Sequence, residues 1–430
     1  MTLASPRNFF NAPFRIFLLT MALAITGVVM VYSSSASYAD MQKRREMART
    51  PEGREALADL QTYHDPRYVA KQCSWLVLGL AAMLAAYLFD YTRLKEWSGW
   101  LLWGSVVLLA LVFVPGVGVV IHFCRRWVHV GPFRIQPSEL AKLTLVIYMA
   151  GMLHDHHDKL KSLRHGVLPA LGITAIVAIL VVIEPDIGAA GVIVAIVFLM
   201  WYIGGMRILH LGGLVATTIP VFVAAILRHP DRLRRIIAFI HFLVNPAEAH
   251  TNAKSYQLMQ GLIAVGSGGM HGVGLGGSLQ KYFLTEQYSD FIFAITAEEL
   301  GFYGAAFVIL CFFLLVWEGW RISLRAPDYY SSLLASGLTL LLAINVVLNL
   351  MVVLGLAPTK GLVLPLLSYG GSNMVITFAA RGVLMSIGAD VEREKELMRS
   401  GENVRPVRDA PRERRYGRPR RWRALRRLGY

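Results

Sequence analysis

Ten stretches of this 430-residue chain stay apolar over about the length a helix needs to cross a bilayer: residues 14–34, 73–90, 98–120, 138–153, 167–184, 189–204, 211–227, 297–318, 332–354 and 372–388. A hydrocarbon layer about 30 Å thick calls for roughly 20 residues of helix. Backbone polar groups have no water to turn to there, so only helices and closed barrels can span it. Barrel strands would be shorter and would alternate. The pattern predicts an all-α polytopic membrane protein of about ten transmembrane helices, and 55% hydrophobic residues agree with it. The first run continues into "VYSSSASY" without a clear small-x-small cleavage site, so it reads as a span. Three scattered cysteines, Cys73, Cys124 and Cys311, offer neither a disulfide framework nor metal-ligand spacing.

Charge sets the orientation. Arg7, Arg15, Arg93, Lys95, Lys159, Lys161, Arg164, Arg207, Arg321 and Arg325 fall in alternate connections, which places both termini in the cytoplasm. Residues 1–390 then form the membrane domain, with an extracytoplasmic insert at 35–72 and a large extracytoplasmic loop at 228–296 between the seventh and eighth spans. Residues 391–430 carry 14 Lys/Arg against 6 Asp/Glu and no hydrophobic period, so a disordered basic tail is expected. Its cations suit anionic headgroups better than nucleic acid. The insert is charged but nearly balanced and reads as solvated, a short amphipathic helix being the alternative.

Several outer arginines run against the charge rule: Arg125, Arg126 and Arg134 in one connection, Arg228, Arg232, Arg234 and Arg235 in another. An anionic ligand would account for them, and the planar guanidinium fork suits a phosphate or diphosphate. Pairing with lipid phosphates is the alternative. Arg126 and Arg234 are the candidates carried forward. In "QPSELAK", Pro137 suits the first turn of a helix, with Gln136 and Ser138 beside it. Glu139 then lies near the positive end of the helix, and Lys142 follows at i+3. Such a charged pair inside the hydrocarbon marks a functional site by default, a purely structural ion pair being the alternative. "EPDIG" repeats the pattern with Glu184 and Asp186.

Residues 253–267 read as a short amphipathic helix with Gln257 and Gln260 one turn apart. The glycine-rich 266–278 suits tight turns and close backbone approach, and it lacks the strand and helix of a nucleotide fingerprint. In "SDFIFAITAEELG", Asp290 and Glu298 are eight residues apart, roughly 12 Å along a helix. One reacting atom cannot serve both. Asp290, at the wet rim, is the chemical candidate; Glu298 and Glu299 are structural anchors. "HDHHD" at 154–158 invites a zinc reading, but adjacent histidines cannot easily face one ion.

Taken together, "YSSS", "RRWVHVGPFRIQPSELAKL", "EPDIG", "YQLMQGLIAVGSGGMHGVGLGGSLQK", "SDFIFAITAEELG" and "PTKGLVLPLLSYGGSNM" resemble the SEDS family, which includes FtsW, RodA and SpoVE. The "TKG" triplet is more like FtsW than RodA. Cys124, Thr285, "YSD" and the long first outer loop depart from the family pattern, without removing Asp290. The resemblance implies a peptidoglycan glycosyltransferase that polymerises lipid II, an undecaprenyl diphosphate-linked disaccharide-pentapeptide, at the outer face of the bacterial inner membrane during septal wall synthesis. Such a reaction needs a base for the acceptor hydroxyl, and Asp290 is the candidate. Arg126, Gln136, Ser138, Glu139, Lys142, Asp186, Arg234, Lys281, Lys360 and Ser368 are the candidates for binding the diphosphate and sugars. The loop from Ser368 to Ser372 either lines the site through backbone N–H groups or is a structural re-entrant. No cofactor is certain, and a divalent cation (Mg2+ or Mn2+) stays open. Expected partners are a class B penicillin-binding protein and other division proteins, with no nucleic acid. A lipid II flippase and a non-catalytic division scaffold are the alternatives; charges confined to one face favour the enzyme.

Overall fold

A computed structural model describes residues 11–47, 66–121, 124–131, 133–157, 168–245, 253–284 and 287–400. The expectations for Thr285, the middle of the 35–72 insert and the tail beyond residue 400 lie outside these residues. The helices are α1 (Ala12–Met47), α2 (Pro66–Leu88), α3 (Arg93–Leu111), α4 (Pro137–Asp155), α5 (Leu168–Ile183), α6 (Ile187–Ile203), α7 (Ile208–Leu227), α8 (Pro230–Val244), α9 (Ala253–Ser267), α10 (Ile292–Arg325), α11 (Tyr329–Val353) and α12 (Gly371–Ser400). The ten apolar runs fall on α1–α7 and α10–α12, and six of these are long and apolar enough to cross a membrane by themselves. α5 and α6 are shorter apolar helices, while α3 and α4 open with charged residues.

The chain is not purely helical. The run at 98–120 stops being helix at Leu111, and β1 (Gly118–Ile121), β2 (Cys124–Val130) and β3 (Phe133–Ile135) form a three-stranded antiparallel sheet. Pro115 and Gly116, the latter at φ +89°, break the helix. The β-branched and aromatic residues that follow favour a pleated ribbon. Gly131, at φ +60°, begins the β2–β3 turn, and His129 pairs with Arg134 across it. Two boundaries also move. α1 continues to Met47, and α12 runs on to Ser400, past the expected start of the tail at 391, with Lys395 bonded to Glu392 at 2.8 Å. Helix-forming Glu, Lys, Leu and Met residues carry it onward.

In lipid the hydrophobic effect does not draw helices together, so close packing and internal hydrogen bonds must. α12 lies along α2 and against α1; α11 packs on α10, α4 and α6; α3 covers α4. Ser323 and Ser336 share a 2.5 Å hydrogen bond between α10 and α11, and Ser332 donates to the Ser323 carbonyl at 2.8 Å. Gly27 on α1 lets the backbone at Leu366 and Leu367 come so close that a Cβ there would lie 2.7 Å from both carbonyl oxygens. At the end of the bundle away from the sheet, Arg15 bonds Glu318 at 3.0 Å and Arg321 bonds the same carboxylate at 2.9 Å.

α10 is broken at Gly301, whose φ is +67° and ψ −165°. The glycine-rich segment fills the break. Val273 and Gly274 donate to the carbonyls of Glu298 and Glu299, while Phe302 and Tyr303 donate to those of Gly269 and Met270. Non-helical backbone is tolerated at membrane depth only when protein satisfies it in this way.

Candidate functional site

The site is assembled by the link between α11 and α12, which folds over the start of α10. Asn349, on α11, donates from Nδ2 to the Asp290 carbonyl at 3.1 Å and to that of Leu362 at 2.6 Å. Ser368 donates to the Ser289 carbonyl at 2.6 Å and accepts from the Leu364 N–H at 2.8 Å; Tyr369 N–H reaches the Tyr288 carbonyl at 2.9 Å. Backbone on both sides of Asp290 is therefore fixed. Its half-buried carboxylate accepts from Ser289 Oγ at 2.8 Å, and Oδ2 lies 3.4 Å from where a Cβ on Gly361 would stand. Lys360 is the next residue along.

A second cluster forms around Asp186, the residue that caps α6 by accepting from the Ala189 N–H at 3.1 Å. Gln136 Nε2 lies 3.4 Å from Asp186 and 3.1 Å from Ser138 Oγ. Arg126, projecting from β2, donates to the Glu184 carbonyl at 3.2 Å and to that of Pro185, with Nη1 3.9 Å from Asp186. Arg232 on α8 also donates to the Pro185 carbonyl, and Arg235 donates to that of Thr359 at 3.2 Å. Burial, and next the nearby Arg232, hold the Lys360 ammonium below its ordinary value of 10.5, with Asp186 pulling the other way. Four guanidinium or ammonium groups, Arg126, Arg232, Arg235 and Lys360, thus gather where β2, α8 and the α11–α12 link meet.

The other expected residues divide. Glu139 and Lys142 form a 2.7 Å ion pair with Lys142 only 2% exposed, and Asn373 Nδ2 holds the second Glu139 oxygen at 2.8 Å. Gln136 N–H reaches Ser372 Oγ at 3.2 Å, tying this pair's helix to the start of α12. Lys281 and Arg234 do not join the cation cluster. Lys281 is buried, donating to the Gly276 carbonyl at 2.7 Å with Glu299 3.7 Å away, so its charge is spent inside the protein. Arg234 is exposed and faces Asp231 at 3.9 Å, because it lies on the opposite side of α8 from Arg232 and Arg235. Glu298 accepts from Ser278 Oγ and the backbone N–H groups of Leu279 and Gln280; Glu299 accepts from Ser33. These two carboxylates fasten the glycine-rich segment and α1 to α10.

Comparison with known proteins bears directly on this arrangement. Residues 54–393 match the FtsW/RodA/SpoVE family of cell cycle proteins. The chain belongs to that family. It is 38% identical over 372 residues to stage V sporulation protein E of Bacillus subtilis (strain 168), covering 86% of this chain and 95% of that one. It is 37% identical over 374 residues to the probable peptidoglycan glycosyltransferase FtsW of Geobacter metallireducens, covering 86% and 93%. Among solved structures, it is similar to a chain described under "structural coordination of polymerization and crosslinking by a peptidoglycan synthase complex", at TM-score 0.68 and 28% identity, covering 87% and 97%. It is also similar to the rod shape determining protein RodA of Thermus thermophilus, at TM-score 0.60 and 27% identity, covering 87% and 96%.

Within this FtsW/RodA/SpoVE chain, the sequence reading named Arg232 and Arg235 among the outer arginines but carried Arg234 forward in their place, and it missed Asn349 and Asn373 as parts of the site. Arg232 and Arg235 could have been found, since positions three apart share a helix face and 234 does not. Asn349 and Asn373 lie far from the motifs they brace, and only the packing of α11 and α12 brings them there. A divalent cation needs several free oxygen ligands. Asp186 is already shared among Ala189, Gln136 and Arg126, with Arg232 and Lys360 beside it, so this cluster does not fit one.

Proposed function

We propose that this protein polymerises lipid II into glycan strands at the outer face of the cytoplasmic membrane, with Asp290 as general base. The observation that carries this reading is the joining of a fixed carboxylate to a cation cluster by one loop: Gly361 abuts Asp290, and Lys360 sits near Arg232 and Asp186. Asp290 takes the proton of an acceptor sugar hydroxyl as its oxygen bonds to the anomeric carbon of the donor. The bond from that carbon to the diphosphate breaks, and the electron pair leaves with the diphosphate oxygen. Lys360, Arg126 and Arg232 stand where that growing negative charge needs support. A well-placed base contributes about 10²- to 10⁴-fold in rate.

The lysine and arginine bias supports an orientation with both chain ends in the cytoplasm and this site outside, where the lipid-linked donor would be presented. Similarity to a chain from a complex that coordinates polymerization and crosslinking supports a class B transpeptidase as partner. Similarity to FtsW and the "TKG" triplet support a role at the division septum alongside other division proteins.

The test is lipid II polymerisation by the full chain with its transpeptidase partner in liposomes, comparing wild type with Asp290→Asn. Glycan chains from the wild type alone, with both proteins equally folded and partner-bound, support the reading. Equal chain formation by both removes Asp290 as base. Absence of chains together with equal movement of labelled lipid II across the bilayer in both makes the protein a transporter instead.

A further inference from the structure

Asp290 has two different sides. On one, Gly361 abuts its carboxylate and leads through Lys360 to the cations near Asp186. On the other, the chain just before Asp290 carries Tyr288, and the α11–α12 link lays Tyr369 against it. The two ring centroids are 5.7 Å apart with their planes at 86°, an edge-to-face pair. Neither ring takes part in the chemistry described above.

Main chain and serines hold the pair in register with the carboxylate. Tyr369 N–H donates to the Tyr288 carbonyl at 2.9 Å, and Ser368 Oγ to the Ser289 carbonyl at 2.6 Å. Ser289 Oγ in turn donates to Asp290 Oδ1 at 2.8 Å. None of these three bonds uses a phenol. Both tyrosines are half-buried, as Asp290 is, so each keeps part of its side chain at the surface beside a fixed carboxylate. Gly370 and Gly371 follow in the chain and carry no side chain to cover the rings. Burial pushes the Tyr369 phenol up, against the pull of Arg134, so it keeps its proton at neutral pH and remains a donor.

The chemistry of this side selects its ligand. A pyranose shows C–H groups on its faces and hydroxyls around its edge, and tyrosine offers the matching apolar ring and polar tip. A diphosphate has no apolar face, and a lipid tail has no hydroxyl to meet a phenol or a carboxylate. We infer that Tyr288 and Tyr369 form the subsite for the acceptor sugar, whose ring stacks on the pair while its hydroxyl reaches Asp290. This rests on the reading of Asp290 as base and gives each half of the reaction its side: the acceptor ring by the tyrosines, the departing diphosphate toward Lys360. Stacking holds the ring equally before and during the reaction, so its loss appears in KM, whereas loss of the base appears in kcat.

Two measurements test this on the full chain in detergent. The first is saturation-transfer NMR with the disaccharide of lipid II, freed from its diphosphate by mild acid, on Asp290→Asn so that no turnover intervenes. Saturation should reach the sugar C–H protons; adding Tyr288→Leu should weaken binding by about three- to tenfold, the range of an aromatic contact, and Tyr288→Phe, which keeps the ring, should recover it. The second is initial polymerisation rates with the transpeptidase partner, Asp290 being intact. Tyr288→Leu should raise KM for lipid II by about the same factor and leave kcat within about twofold. Should Tyr288→Leu fail to fold, Tyr369→Leu makes the same test, because Tyr369 holds the loop through its backbone N–H. Undiminished sugar binding in the Leu variants, no sugar binding at all, or a fall in kcat alone overturns the subsite, even if the wild type polymerises lipid II. Sugar binding that depends on the tyrosines without polymerisation by any of the proteins supports the subsite and removes the polymerase reading instead.

Discussion

Arg232 and Arg234 are two positions apart on α8 and meet opposite surroundings. The first donates to the Pro185 carbonyl beside Asp186; the second stands in solvent opposite Asp231. A charge-assisted hydrogen bond is worth about 1.5–3 kcal/mol, and each ~1.4 kcal/mol is tenfold in rate. Arg232→Met is therefore expected to lower kcat/KM for lipid II polymerisation by about ten- to a hundredfold, whereas Arg234→Met stays within about twofold; initial rates with the partner present distinguish them. Lys360 supplies a pH test. Its folded-state value is lowered by burial and Arg232, so the ammonium is charged below that value and neutral above it. Affinity for a lipid diphosphate is then full at lower pH and is lost as pH rises through the lowered value, before the ordinary 10.5 is reached. Lys360→Met should show weak binding with that pH dependence removed, as measured by titration calorimetry across the alkaline range.

At the scale of elements, the broken α10 and the glycine-rich segment make one unit. Gly301 and Gly272 both sit at positive φ, and a Cβ on Gly301 would lie 2.3 Å from the Gly272 nitrogen. Backbone strain of this kind costs about 1–3 kcal/mol, and the clash adds to it. Gly301→Ala is expected to lower Tm by several degrees, while Gly172→Ala, at a helical position with no atom within 4 Å, leaves it nearly unchanged. Equal effects from the two would show that the segment is not locked into the break. The hydrogen bonds that run both ways between 269–274 and 298–303 could not be read from spacing, because they need the segment folded back onto α10. What could be read was the demand: glycines at that density signal close approach before the partner is known.

For the whole molecule, the link from α11 to α12 couples the bundle to the site. Leu366 and Leu367 rest on Gly27 of α1, while Ser368 and Tyr369 hold the strand of chain before Asp290. Gly27→Leu would push this link away from α1 and disturb Asp290 from a distance. Polymerisation is expected to fall at least tenfold while helix content by circular dichroism stays near wild type; unchanged rates would show that the link does not depend on α1. An error of about 1 Å at a reacting group can cost a hundredfold, which is why so remote a contact reaches the chemistry.

The helical, membrane-spanning character of the chain follows from the sequence alone, since a bilayer imposes one length and one hydrogen-bonding rule on every segment that crosses it. The same holds for the separation of Asp290 from the Glu298–Glu299 pair, which rests on helical rise along one continuous stretch. The sheet at 118–135 was hidden by an apolar run that continues across a helix end, where composition is the same on both sides of Pro115. Tertiary structure decided which arginine of α8 faces inward, where Lys281 spends its charge, and that Asn349 and Asn373 brace residues far from them in the chain. Those outcomes depend on how one helix face meets another, and periodicity gives the face without giving its neighbour.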